Sequence, residues 1–377
     1  MRARLMLCGE GFRLVSKALV PLFSTSMSVK VTSSMSQPQA RQIISDLERI
    51  VNPKGIQETF KTMIGGVEQW IYTRGQDKNN PILLFIHGGP ASPLSPLMWM
   101  YQRPIEEYFT VVNWDQRGSG RTFLEADPEL LRGTLRIEQY VSDTLELVEL
   151  IKHRYDAKKV ILIGHSWGTI IGLRAVLEHP ELFSAYVGMG QVINVMDNER
   201  VSYDFAVSEA KKHSNQPALS ELETIAPYPG QTRLTPERIS IARKWAQYYG
   251  GLSAFRTESN YYFSGPLLSP EYDHTVVSTL DQSGSFTLEQ VLSELFTVDF
   301  KDVTAFPISI FMFMGRHDYY TPSKPTADWL KKIAAPYKKG IWFEKSAHLI
   351  PFEEPGKMLM SLVQYVRPIA VKDTVHP

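Results

Sequence analysis

The segment Val160-Ile161-Leu162-Ile163-Gly164-His165-Ser166-Trp167-Gly168-Thr169 constrains this chain more than any other. Four apolar, β-prone residues run into Gly-x-Ser-x-Gly, and a helix-forming run, Ile170 to Leu177, follows at once. Strand, tight turn and helix in that order make a nucleophile elbow, which lifts a serine hydroxyl above the end of a sheet. The turn strains the serine backbone, and strand and helix can approach only if the residues two before and two after it are small. Gly164 and Gly168 meet that need. The helix also points its positive end at the serine, where negative charge develops during acyl transfer. Ser166 is therefore the candidate nucleophile.

The rest of the chain fits a globular α/β protein. It has 377 residues, 43% hydrophobic and 21% charged, enough for one large core with an insertion or for two domains. Forty basic residues balance forty acidic ones, so nothing points to nucleic acid or an anionic membrane as partner. Cys8 is the one cysteine, which excludes an intrachain disulfide and a multi-cysteine metal site. No apolar run approaches the roughly 18 residues of a membrane helix.

Residues 1–44 read as an N-terminal extension. Arg2, Arg4, Arg13, Lys17, Lys30 and Arg41 face a single acid, Glu10, and serine is abundant from Ser24 to Ser36. Such a composition suits a mitochondrial presequence and equally an unstructured extension. The second reading is preferred, with Met27 and Met35 as alternative starts and a cytoplasmic location expected.

From residue 57 strands and helices alternate. Glu58 to Ile64 and Gln69 to Thr73 flank Gly65-Gly66 as a hairpin. Pro81 to Ile86, Phe109 to Trp114, Ala185 to Met189, Pro307 to Met314 and Gly340 to Phe343 read as further strands, the continuous apolar runs among them as expected of a parallel sheet buried on both faces. Ile137 to Tyr155, Ala327 to Ile333 and Pro355 to Val366 carry helical spacing. This pattern predicts a doubly wound, mostly parallel sheet, its core divided into residues 45–190 and 305–377. The interval 191–304 has amphipathic helical patches and no buried strand, as a mainly helical cap over the C-terminal edge of the sheet would.

A serine needs a base, an orienting acid and an oxyanion site to act as nucleophile. After an elbow of this kind the chain order is serine, acid, histidine. Asp318 lies just past the strand ending near Met314, and His348 lies in the loop after the last strand; both fall at C-terminal strand ends, as Ser166 does. His317 breaks the order, Asp299 and Asp302 precede their strand, and His165 occupies the variable position of the elbow. The oxyanion donors are expected at the N–H of Trp167 and at Gly89, with Gly88 next, in a glycine turn after His87. This chemistry needs neither a metal nor an organic cofactor.

Taken together, His87-Gly88-Gly89-Pro90, Asp115-Gln116-Arg117-Gly118-Ser119-Gly120-Arg121, the Ser166-Trp167 elbow, Gly315-Arg316-His317-Asp318 and the His348 loop resemble the proline iminopeptidase (prolyl aminopeptidase) branch of the α/β-hydrolases. The resemblance spans residues 57 to 368. It implies a serine peptidase that releases an N-terminal residue, with cap carboxylates holding the free amino group. Three positions depart from the family pattern. Ala91 stands where His-Gly-Gly-Pro is followed by glycine, and His165 stands where glycine is common. In Trp245-Ala246-Gln247-Tyr248-Tyr249-Gly250, Tyr249 replaces an anchoring glutamate, whereas Glu258 is retained in the segment containing Tyr261 and Tyr262. By the same resemblance Glu258, Tyr249, Trp245 and Tyr262 are the substrate-binding candidates. Glu258 reads equally as an ordinary surface glutamate.

Three functions are consistent with these residues. A peptidase or amidase would take short peptides or amino-acid amides. A carboxylesterase or lactonase would use the same triad under the aromatic cap. A non-catalytic ligand-binding protein on this fold is the third, against which the complete triad argues. The expected partner is a small-molecule or short-peptide substrate, and oligomeric state is not legible.

Overall fold

The computed structural model describes residues 36–230 and 234–374. The expected extension beyond that, with its presequence reading, lies outside the described residues. Helix α1 (Gln37–Glu48) begins ahead of the expected core boundary at residue 45. It is tied to the rest of the fold: Arg41 donates to the Tyr272 carbonyl and Arg74 to that of Glu48. These bonds join partners 26 and 231 residues apart in the chain, contacts that composition alone does not show.

Eight strands form one sheet in the order β1-β2-β4-β3-β5-β6-β7-β8. They are β1 (Ile56–Ile64), β2 (Val67–Gly75), β3 (Ile82–Ile86), β4 (Thr110–Asp115), β5 (Val160–His165), β6 (Phe183–Met189), β7 (Ser309–Gly315) and β8 (Lys338–Phe343). The β1–β2 hairpin turns at Gly65-Gly66, and β2 pairs antiparallel with β4; from β4 to β8 all pairings are parallel. The central strands β3, β4, β5 and β6 are buried at every residue, the consequence of layers packed on both faces. On one face Leu162 and Leu84 join helices α2 (Ile137–Arg154) and α3 (Trp167–Glu178). On the other, Ile161 and Ile163 pack with Met358, Leu362 and Val366 of the C-terminal helical stretch. Truncating a core residue such as Leu162 to alanine would cost about 2–5 kcal/mol.

Parallel pairing puts the C-terminal ends of β3, β5, β6, β7 and β8 along one edge. Between β6 and β7 the described residues form helices and turns without a strand of the sheet: α4 (Val195–Lys212), α5 (Gln216–Glu223), α6 (Pro236–Tyr248) and α7 (Leu280–Leu295) are the longest. Residues of this insertion, among them Glu199, Arg243 and Asp281, line one cavity together with Ser166. Helix α8 (Ser323–Lys332) follows β7. No helix among the described residues is long and apolar enough to cross a membrane.

Candidate active site

Strand β5 ends at His165 and α3 begins at Trp167, so Ser166 alone makes the turn, with φ 54° and ψ −120°. That left-handed backbone is costly for a residue with a Cβ, and the packing around it holds it in place. Ser166 N–H donates to the Met189 carbonyl at 2.9 Å, and its own carbonyl accepts Thr169 Oγ1 at 2.6 Å. A Cβ on Gly164 would lie 2.7 Å from the Gly168 carbonyl oxygen; one on Gly168 would lie 2.7 Å from that of His87 and overlap that of Ile86. Both glycines are thus required by the close approach of β3, β5 and α3.

Asp318 and His348 meet. The His348 Nδ1 lies 3.0 Å from Asp318 Oδ2 and both side chains are buried. Asp318 Oδ1 accepts the N–H groups of Tyr320 (3.0 Å) and Thr321 (2.8 Å), while the Thr321 hydroxyl donates to Oδ2 at 3.2 Å. An acceptor-only carboxylate with this many donors favours Nδ1–H on His348 and leaves Nε2 to accept a proton. Among the described residues no hydrogen bond joins Ser166 Oγ to His348; such bonds commonly tighten only with substrate in place. The two residues are nevertheless neighbours, since Thr321, bonded to His348, lines the same cavity as Ser166, and the His165 ring lies 4.7 Å from that of His348 at a tilt of 35°.

His165, at the variable position of the elbow, bonds through Nε2 to the His348 carbonyl at 3.0 Å. Burial, with the neighbouring His348 next in importance, pulls its pKa down to about 3, so it stays neutral against the candidate base. The His348 loop is gripped further. Its N–H donates to the Leu252 carbonyl (3.1 Å), Glu353 accepts the N–H of Ala347 (2.7 Å) and of Ala254 (2.6 Å), and Glu354 accepts Lys345 N–H (2.9 Å) and Ser346 Oγ (2.8 Å). Gly190, at φ 56°, lets the chain pass the imidazole, because a Cβ there would come within 2.8 Å of His348 Cε1. The Glu353-Glu354 pair was not found from sequence; two adjacent acids shortly after the histidine are its only signal.

The oxyanion candidates flank Ser166. Trp167 is the first residue of α3, so its N–H has no intrahelical acceptor. Gly88 touches the serine: a Cβ on it would lie 2.9 Å from Ser166 Cβ. Gly89, at φ 113°, lines the cavity with Ser166. Ala91, where the resembled pattern has glycine, keeps a left-handed φ of 60°. Asp115, at the end of β4, holds the segment just after this loop through Ser95. It accepts hydrogen bonds from Ser95 (2.8 Å), Tyr72 (3.1 Å) and Tyr272 (2.6 Å), and burial pushes its carboxyl up to about 6.

Ser166 opens into a cavity of about 580 Å³, within the size range of small-ligand sites. None of the expected cap residues, Glu258, Tyr249, Trp245 and Tyr262, lines it. Glu258 is exposed and accepts Asn260 Nδ2 at 2.9 Å. Its neighbour Ser259 takes the inward position, bonded to Ser253 at 2.7 Å, and that alternation turns Glu258 to solvent. Trp245 is buried with its indole N–H on Glu221 (2.7 Å), and Tyr249 stacks on His213 around a separate cavity. Tyr262 lies closer in, beside Phe352 and interacting with Tyr320 and Ser92; burial pushes its hydroxyl up to about 12. The carboxylates that do line the cavity are Glu199 on α4 and Asp281 on α7, neither identified from sequence. Glu199 is already engaged, accepting from Arg243 and from the Tyr228 hydroxyl, whereas Asp281 has no salt bridge among the described residues.

The alpha/beta hydrolase fold family matches residues 81–355. The "probable aminopeptidase" YbaC of Bacillus subtilis (strain 168) is 29% identical over 321 residues, which cover 84% of this chain and 99% of YbaC. Two solved structures share the fold: the proline iminopeptidase-related protein TTHA1809 from Thermus thermophilus (TM-score 0.57, 16% identity, 85% of this chain and 100% of that one) and a proline iminopeptidase of Mycobacterium smegmatis (TM-score 0.58, 14% identity, 84% and 99%). Its sheet, its elbow and this match over most of its length make the chain a member of the alpha/beta hydrolase fold family, a hydrolase similar to the proline iminopeptidase group.

Proposed function

We propose that this chain is a serine hydrolase acting through an acyl-enzyme on Ser166, and that it releases N-terminal residues from small peptides or amino-acid amides. The observation that carries the reading is the buried Asp318–His348 pair held beside a left-handed Ser166 at the mouth of one cavity. In the proposed reaction His348 Nε2 takes the Ser166 hydroxyl proton as Oγ attacks the carbonyl carbon. The oxyanion is met by the N–H groups of Gly89 and Trp167, worth roughly 3–4 kcal/mol per donor where such donors have been removed. Imidazolium then protonates the leaving amine, the C–N bond breaks, and an ester to Ser166 remains. Water, deprotonated by the same Nε2, hydrolyses that ester and returns the proton to Ser166. Asp281 is suited to meet the substrate ammonium group, since it lines the cavity without an ion-pair partner among the described residues.

One observation favours a second reading, a carboxylesterase or lactonase. Arg243 already neutralises Glu199, so among the described residues the cavity lining offers one carboxylate outside a salt bridge where the resembled peptidases use more. Arylamides of proline and alanine, their N-acetylated forms and short acyl esters separate the two. The peptidase reading expects free-amine arylamides to be turned over and N-acetylation to abolish it. It also expects Asp281→Asn to raise KM for the free-amine substrates and leave esters unaffected. Turnover of esters alone would overturn it. Ser166→Ala should lose activity on every substrate by about 10⁴-fold or more, and near-normal turnover would refute the site itself.

A further inference from the structure

Helix α7 presents Asp281, Gly284, Ser285 and Leu288 to the Ser166 cavity, a spacing that puts all four on one helix face. Glycine inside a helix is unfavourable relative to alanine and needs a reason. One common reason is close packing. Gly172 in α3 is of that kind, because a Cβ there would lie 3.0 Å from the Tyr186 ring. A second is a left-handed backbone, as at Gly190. Gly284 has neither: its backbone is ordinary helix, and a Cβ built on it would have no atom within 4 Å apart from the adjoining backbone of its own helix. What lies in front of it is the cavity.

We propose that Gly284 is a specificity-determining position, its absent side chain leaving a recess that receives a bulky apolar substituent of the substrate. Leu280 and Leu288 of α7 and Ile239 of α6 are the apolar side chains that line the cavity here. A branched or aromatic acyl group therefore suits it, with Asp281 one turn away for a cationic group on the same substrate. The inference rests on Ser166 being the nucleophile whose cavity this is. A Cβ at 284 would enter the recess without meeting the protein packed around the helix.

The test compares two fluorophosphonates, one with a methyl and one with a 3-phenylpropyl group on phosphorus, on the full chain and on Gly284→Ala, Gly284→Leu and Gly284→Phe. The measured quantity is the ratio of bulky-probe to small-probe labelling rates at Ser166, with thermal melting alongside. The leucine and phenylalanine variants should lower the ratio by about tenfold or more, in the range a few methylenes in a pocket decide, with alanine in between. An unchanged ratio, or both rates falling together, overturns the proposal. If the large variants melt early, the alanine variant must still slow the bulky probe more than the small one, or the proposal fails. Absence of labelling of the wild type by either probe is a different result: it removes Ser166 as nucleophile, and the inference with it.

Discussion

Glu353 touches neither Ser166 nor the cavity lining, yet the candidate base depends on it. Its two carboxylate oxygens each take one backbone N–H, from Ala347 at 2.7 Å and from Ala254 at 2.6 Å. Ala347 directly precedes His348, and Ala254 belongs to the helical insertion, so one carboxylate joins the base loop to the insertion. Burial pushes that carboxyl up, and its ionised form is tolerated because the two N–H groups meet it. Glu353→Ala removes two charge-assisted bonds of about 1.5–3 kcal/mol each. Glu353 is only half-buried and water replaces part of the loss, so about 2–4 kcal/mol of stability should go, a fall of several degrees in a chain of this length. A displacement of His348 by about 1 Å would lower kcat about 100-fold. Glu353→Gln keeps one acceptor oxygen and should fall between wild type and Glu353→Ala in both respects. The assay is kcat and KM on the best ester or arylamide, with melting of each variant. KM should stay within about threefold, because Glu353 makes no part of the cavity wall. A Glu353→Ala protein that melts early but keeps wild-type kcat, or one whose KM alone rises, would refute this reasoning.

Two more perturbations probe the same site. Asp318→Asn keeps the shape but presents an amide N–H or a weaker acceptor to His348 Nδ1, favouring the wrong tautomer; kcat should drop about 10⁴-fold with a folded protein, and a loss under about tenfold would speak against Asp318 as the orienting acid. His165 has a folded pKa of about 3 against an unfolded 6.5, so the unfolded chain binds the extra proton and the native state loses stability as pH falls below 6.5. His87, pulled down to about 4 by burial, acts in the same direction, while Asp115, pushed up to about 6, opposes them. Between pH 6.5 and 5 the urea-unfolding free energy of His165→Asn should therefore fall by about 1.5 kcal/mol less than that of wild type. Parallel pH curves for the two proteins would show that His165 is not held neutral.

Local pattern reached the chemistry and stopped at the substrate. The continuous apolar runs located every strand of the parallel sheet to within a few residues. The elbow was legible because its glycines and its strand-to-helix order lie within ten consecutive positions. Asp318 and His348 were legible because parallel strands share one C-terminal edge, so chain order alone sends both to the side where Ser166 emerges. The insertion obeys no such rule. Glu258 matched a family segment, but buried Ser259 beside it faces inward and Glu258 faces water. Glu199 and Asp281 belong to helices whose period tells which residues share a face but not which face meets the cavity.

From the sequence alone came a sheet, an elbow at Ser166 and an acid and a histidine in the right order, because each depends on neighbours a few residues away or on the fixed direction of a parallel strand. Only the tertiary structure decided what lines the Ser166 cavity, with Asp281 outside any salt bridge among the described residues, Glu199 tied to Arg243 and Gly284 facing open space, and only it showed Glu353 holding the His348 loop from outside that cavity. Those roles come from how helices pack across long intervals of chain, and packing angles are set by the whole core rather than by any stretch of residues.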